Sequence, residues 1–534
     1  MKFSKFRIAA LSREPSFQLR TVLGILVAGL VIAFVVSLLR KEKVPENPGS
    51  GMMARMQRLH ERPSISSRRD CVLLLDRIRS GSEWLSAFLR APNLESLREG
   101  AFPGMEAPKE AGQFLSPEEL SLLMKFQVMT AFMTKPEADD VTPFATAAAK
   151  DPPSGIISSM HGDLLWLSGK YEEALAAYER GAADEETGAD CRRRALDLCR
   201  RRGWTDRLLR LYKLPGWRDA ALEPGVGYDR HSSEIAAAAS DWTGMLKVSW
   251  LDVVSSLRHT RWVIMSSLCG LLWFLVIHMG ACIPVKLWWR GLLGFALGVL
   301  SIPLTLFIIK VQETWLGVGQ DSSTGDILYC ISGIGLREEL AKLILFVPML
   351  FLLRKALAAH VLAVAACVGL GFAVQENVDY FSMDGAVWGR FLTANFLHFA
   401  LTGLTGLALW QAVRNSAWLT HFMWILVGAV VFHGLWDFRP GDVRYAGDYN
   451  YFKYVGLAVL SLYFFRELCR YAQPVPGVPS VLFVYLTGGA LLVSTVMVMS
   501  TVDMGFRFAL VDTFKPVIGL FIIGAAMFYQ LRRA

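Results

Sequence analysis

Hydrophobic and polar positions divide the chain into two contrasting parts. From Thr21 to Leu39 the sequence runs without a charge, and comparable apolar stretches recur at about 262–284, 291–309, 327–353, 356–376, 391–413, 415–437, 449–465, 479–500 and 514–531. About 20 such residues, wound as an α-helix rising 1.5 Å each, cross the roughly 30 Å hydrocarbon layer. The pattern predicts about ten spans, of which the eighth and tenth are short. Residues 41–257 contain no run of that length and are rich in Arg and Glu. A Pro/Gly-containing linker, Val44 to Met52, opens this segment, and patterns such as Cys71-Val-Leu-Leu-Leu-Asp-Arg-Ile predict helices beyond it. The expected architecture is all-α: a polytopic membrane helix bundle with a soluble helical domain between spans one and two. The expected divisions are an anchor over 1–40, a soluble domain over 41–257 and a membrane domain over 258–534.

Composition sharpens this picture. The 534 residues are 53% hydrophobic and only 19% charged, with mean hydropathy +0.37, which excludes a disordered chain. Eight cysteines are too sparse for a disulfide scaffold. The net charge of +8 does not signal nucleic acid, because many basic residues flank apolar runs, where they set membrane orientation. The expected surroundings are a lipid bilayer. The first run is followed by Arg40-Lys41-Glu42-Lys43 with no small-residue cleavage site, so it reads as a retained anchor. Lys286/Arg290, Arg354/Lys355, Arg414, Arg466/Arg470 and Arg532/Arg533 favour one set of loops as cytoplasmic. That assignment puts the amino terminus inside and the soluble domain outside.

Within the soluble part, Gly162, Gly169, Tyr171, Ala174 and Tyr178 resemble one tetratricopeptide helix pair, with small residues where two helices cross and aromatics wedged between them. One such pair cannot bury its own faces, so degenerate neighbours are expected to complete the layer; an ordinary helical domain is the plainer alternative. Either serves as a binding module for a peptide or protein partner. Cys191 and Cys199 lie about 12 Å apart on a continuous helix, beyond disulfide reach.

Candidate chemistry lies inside the spans. The fourth carries Arg337-Glu-Glu-Leu-Ala-Lys342, the fifth ends near Glu376-Asn377, the sixth holds Asn395 and His398, and the seventh ends His433-Gly-Leu-Trp-Asp437. Each charge in a bilayer costs on the order of 2.5–3.5 kcal/mol on insertion scales, so such a set marks a functional site. Glu338 and Glu339 are four and three residues before Lys342, within pairing reach on a helix. Asp437 is four residues from His433 and is expected to fix its tautomer. Alternation of span direction places the starts of the fourth and sixth and the ends of the fifth and seventh at one membrane face. The groups are therefore expected to converge in one leaflet, on the side to which the soluble segment connects.

The ordered set Glu-Glu-x-x-Lys (338–342), Phe-x-x-x-Glu (372–376), His398 and His-x-x-x-Asp (433–437) resembles the PrsW family. That family lies within the wider superfamily of type II CAAX prenyl endopeptidases and bacteriocin-processing proteins. The resemblance covers residues 327–437. Glu376 stands where the superfamily usually has His, and Lys342 where it usually has Arg. The resemblance implies an intramembrane endopeptidase of a bacterial inner or plasma membrane that acts on membrane proteins. Glu338 would be the general base, oriented by Glu339 and Lys342; Glu376 would hold the water with it. His433, held by Asp437, would assist the oxyanion or the leaving amine. The favoured form needs no cofactor; a zinc form with Glu338, Glu376, His398 and His433 as ligands is the alternative. A proton-coupled transporter and a catalytically silent scaffold are the rival classes.

Overall fold

The computed structural model describes residues 9–39, 115–131, 136, 138–222, 230–258, 260–315, 326–384, 388–438, 443–471 and 479–531. The linker at 44–52 and the pattern beginning at Cys71 lie outside them. All regular structure among the described residues is helical. The chain forms two compact units, one of residues 54–255 and one of 1–53 with 256–534.

The smaller unit is built from successive helix pairs. Gly155–Leu167 turns into Tyr171–Gly181, Gly188–Arg201 into Thr205–Tyr212, and Arg230–Ala238 into Trp242–Ser256. Each pair turns through one left-handed residue: Gly169, Gly203 and Ser240, with φ of +79°, +69° and +53°. At each turn the next N–H bonds back across the helix end, Lys170 to Leu165, Trp204 to Cys199 and Asp241 to Ala236, at 2.8–2.9 Å. These are Schellman-type stops, which satisfy carbonyls the helix would leave open. Gly162 is needed because the Tyr178 ring occupies the place of a Cβ, and the Tyr178 hydroxyl donates to Asp163 at 2.6 Å.

The last pair is tied by Asp241, which caps Trp242–Ser256. Its carboxylate accepts from Arg218 Nε at 2.7 Å, Tyr212 Oη at 2.9 Å and the Gly244 N–H at 2.9 Å. Partial burial pushes the carboxyl upward, but these donors outweigh it and hold Asp241 below the usual carboxylate range.

In the larger unit, helices occupy all ten expected places: Pro15–Leu39, Thr260–Gly280, Trp288–Trp315, Leu336–Leu352, Ala358–Asp384, Trp388–Arg414, Leu419–Asp437, Val443–Tyr471, Val481–Met504 and Phe506–Leu531. Among the described residues, seven are long and apolar enough to cross a membrane. The fourth α-helix is 17 residues long and carries Arg337, Glu338, Glu339 and Lys342 in its first two turns. The fifth helix is the axis of the bundle, nearly wholly buried and packed along the third and sixth. Its Gly369 faces the His398 carbonyl and its Gly371 the Phe295 carbonyl, so closely that a Cβ would clash with backbone. Small residues let helices approach where lipid supplies no hydrophobic drive. Trp273 fills the centre, 4.8 Å from Phe399 and 5.2 Å from Tyr485 between ring centroids. The first helix packs along the ninth, where Ser494 donates to the Ile25 carbonyl at 3.2 Å.

A pH dependence follows for the smaller unit. Since the folded Asp241 carboxyl lies below its unfolded value of about 3.9, its contribution is full above that pH and fades as pH falls toward the folded value. Hydrogen exchange over 205–250, corrected for intrinsic rate, should show protection falling between pH 6 and pH 3, and Asp241→Asn should remove most of that dependence; an unchanged slope in the variant would assign the acid sensitivity elsewhere.

Candidate active site

The site begins where the fourth helix begins. Asp326 caps the segment, accepting from the N–H groups of Leu328 and Tyr329 at 2.9 and 3.2 Å. The chain then makes a wide π-helical turn, Tyr329–Gly335, before the α-helix starts at Leu336. Such turns insert a residue and re-aim the side chains that follow, and they recur at functional sites. Here the turn lies directly against the seventh helix. A Cβ on Gly434 would stand 2.5 Å from the Ile331 Cα, and one on Gly335 would stand 2.5 Å from the Val430 carbonyl oxygen. Both neighbours are backbone atoms and cannot rotate away. This contact lets Glu338 and Glu339 reach His433.

All seven residues singled out in the sequence meet here. Glu339 Oε1 accepts from Lys342 Nζ at 2.8 Å and from His433 Nδ1 at 2.8 Å, and Thr402 Oγ1 lies 3.4 Å from its other oxygen. Lys342 Nζ contacts His398 Nδ1 at 3.0 Å and sits 4.0 Å above the Phe372 ring. His398 Nε2 is 3.0 Å from Glu376 Oε2. On the far side of the second imidazole, His433 Nε2 lies 3.4 Å from Glu338 Oε2 and 3.4 Å from Asp437 Oδ2. Lys342, Glu338, Glu339, His398 and His433 are buried. The side chains of Glu376 and Asp437 keep 18% and 27% exposure, which places the mouth of the site at their end.

The hydrogen bonds fix who orients whom, and here the geometry departs from the sequence expectation. His433 Nδ1–H is held by Glu339, from the neighbouring helix, rather than by Asp437, which stands at Nε2. The one-turn spacing on a single helix suggested Asp437, but the Gly335–Gly434 contact brings Glu339 closer. A carboxylate on Nδ1 leaves the Nε2 lone pair pointing into the site. Glu338 is 3.8 Å from Lys342, so the ammonium serves Glu339 first. Glu376, expected to hold a water with Glu338, has a hydrogen bond to His398. A lysine ammonium only donates, so His398 Nδ1 accepts from it and the Nε2 hydrogen is directed at Glu376.

Phe372, Asn377 and Asn395 stand in the sequence motifs, but their contacts, and that of Thr402, emerge only in the structure. Thr402 is one turn from His398, and Phe372 opens the Phe-x-x-x-Glu motif one turn before Glu376. Asn377 Nδ2 donates to Asn395 Oδ1 at 2.7 Å, tying the fifth helix to the sixth beside Glu376.

The donor set fits a divalent cation. One atom from each of Glu338, His398 and His433 lies within 4.8 Å of the others, a two-nitrogen, one-carboxylate set of the kind catalytic zinc uses. Glu338 Oε2 is buried and makes no hydrogen bond. Among the seven groups, four carboxylates face one ammonium, an excess of negative charge that a buried site must neutralise with a cation or with protons. Occupation through His398 Nε2 requires displacement of the hydrogen now shared with Glu376.

The close contact of the fourth and seventh helices is testable. Gly434→Ala should cost about 1–3 kcal/mol by forcing the backbones apart, whereas Gly428→Ala on the same helix meets nothing within 4 Å and should be neutral or stabilising by up to about 1 kcal/mol. Thermal unfolding in detergent compares the two; equal melting temperatures would remove the contact from the account.

Compared with known proteins, residues 286–465 match the family described as PrsW family intramembrane metalloprotease, a stretch running from the third helix into the eighth and enclosing every residue of the site. No curated protein and no solved structure matches the chain. What this part of the chain is similar to is an intramembrane protease of the PrsW type.

Proposed function

We propose that the protein is a membrane-embedded endopeptidase that hydrolyses peptide bonds of membrane-associated proteins, with Glu338, His398 and His433 holding a zinc ion. The observation that carries this reading is the buried Glu-His-His group, with an unbonded Glu338 oxygen, inside the stretch that matches the protease family. Of the two forms left open by the sequence, the donor set favours the metal-holding one. A zinc ion there would supply Lewis acidity toward the scissile carbonyl.

The rest of the work falls to side chains. Glu376, the partly exposed carboxylate beside the group, takes a proton from the attacking water at Oε2 and returns it to the leaving amine as the C–N bond breaks. With the ion held, His398 Nε2 would be a ligand and would no longer bond that carboxylate, leaving Glu376 Oε2 to face the attacking water. Glu339 keeps the hydrogen of His433 on Nδ1, and Lys342 keeps Glu339 in place. Burial excludes bulk water from all but the Glu376 and Asp437 end. We further propose that the helical unit is a tetratricopeptide-like array that selects the substrate's exposed segment. Supporting this are its three helix pairs turning at 169, 203 and 240, close to the repeat's 34-residue spacing.

Cleavage of a single-span membrane protein by purified protein in detergent tests the reading. Glu338→Gln and His433→Ala should reduce cleavage to background. Glu376→Gln keeps the size and shape of the side chain but cannot take a proton, and should lose on the order of 10²–10⁴-fold. Near-wild-type turnover in any of the three removes the role given to that residue. Deleting the helical unit should change which substrates are cut while a short generic substrate is still hydrolysed; loss of both would assign the unit a structural role.

A further inference from the structure

The helix Trp242–Ser256 has two apolar faces, and only one of them is used. Met245, Val248, Ser249 and Val253 are buried. On the adjoining face Leu246, Trp250, Val254 and Leu257, at helical spacing, are 41–52% exposed, with Trp242 at the head of the same ridge. Five large apolar side chains in a row are not scattered surface residues, and a ridge of that kind in water marks a surface that is covered.

The chain itself indicates the cover. Shortly after this ridge the sequence enters the second membrane helix at Thr260, whose Ile264, Leu268 and Leu271 present an exposed apolar line. Lys247, Arg258 and Arg261 are exposed along the same stretch, and Arg261 stacks on Trp262 at 4.8 Å. Tryptophan on the apolar side and basic residues at the flank are the composition of a helix lying in the headgroup–acyl boundary. Continuity with a helix apolar enough to span fixes one end of the ridge at the membrane surface.

We infer that residues 242–257 form an interfacial helix whose Leu246–Trp250–Val254–Leu257 ridge is immersed in the bilayer surface, with Arg258 and Arg261 directed at lipid headgroups. The helix would then be a surface anchor for the end of the helical unit.

The test uses the full chain in lipid nanodiscs containing phosphatidylglycerol, with the photocrosslinking residue benzoylphenylalanine placed singly at 246, at 250 and, as a lipid-facing reference, at 264. The inference predicts that 246 and 250 give lipid adducts by intact-mass analysis at a yield within about threefold of 264. Adducts to protein at 246 and 250, whether to a second copy or to another segment of the chain, would overturn it and make the ridge a protein interface. Absence of adducts at both positions while 264 labels would equally overturn it, since the ridge would then face water. Two independent positions keep the test decisive if one variant is produced poorly.

Discussion

The carboxylate of Glu339 is the point on which the site depends. One oxygen receives both Lys342 Nζ and His433 Nδ1 at 2.8 Å, so a single buried charge joins the fourth helix to the seventh and, through Lys342 and His398, to the sixth. In a low-dielectric interior such a charge survives only with partners on every side. Removing one partner of a buried pair costs about 3–5 kcal/mol, because the other is left desolvated. The network is therefore a constraint on helix position as much as a chemical device. It is available only because Gly335 and Gly434 let backbone meet backbone.

The same constraint shapes the chemistry. With its Nδ1 hydrogen committed to Glu339, His433 presents Nε2 to Glu338 and Asp437. His398 is held from one side by Lys342 and bonds Glu376 from the other. Two imidazoles, 4.9 Å apart between ring centroids, thus stand among four carboxylates, with one ammonium behind them. The proposed hydrolysis assigns the partly exposed Glu376 to proton transfer and leaves the deeper groups to hold and orient.

Much of this was legible in the sequence, for identifiable reasons. Helix places follow from hydropathy because a bilayer tolerates little else, and all ten expected places hold helices. Glu338, Glu376, His398 and His433 stood out because ionisable groups are costly in apolar runs. Their partners were not legible. That Glu339 stands at His433 Nδ1 and that His398 bonds Glu376 was not readable, because helix rotation and the π-turn before Leu336 decide such matters and neither follows from spacing. The later turns at Gly203 and Ser240 escaped notice in the helical unit because they lack the Gly-Lys-Tyr pattern that marks the first. Ser240 also reaches its left-handed conformation without being glycine.

The central claim is that this buried group is a cation site whose geometry Glu339 sets. Elemental analysis of the purified, intact protein addresses it most directly. The account predicts one zinc per chain in the wild type, retained in Glu376→Gln and lost in Glu338→Ala. A wild-type protein that cleaves at full rate in the presence of a strong chelator and contains no stoichiometric metal would contradict it, and would return Glu338 to the role of a metal-free base.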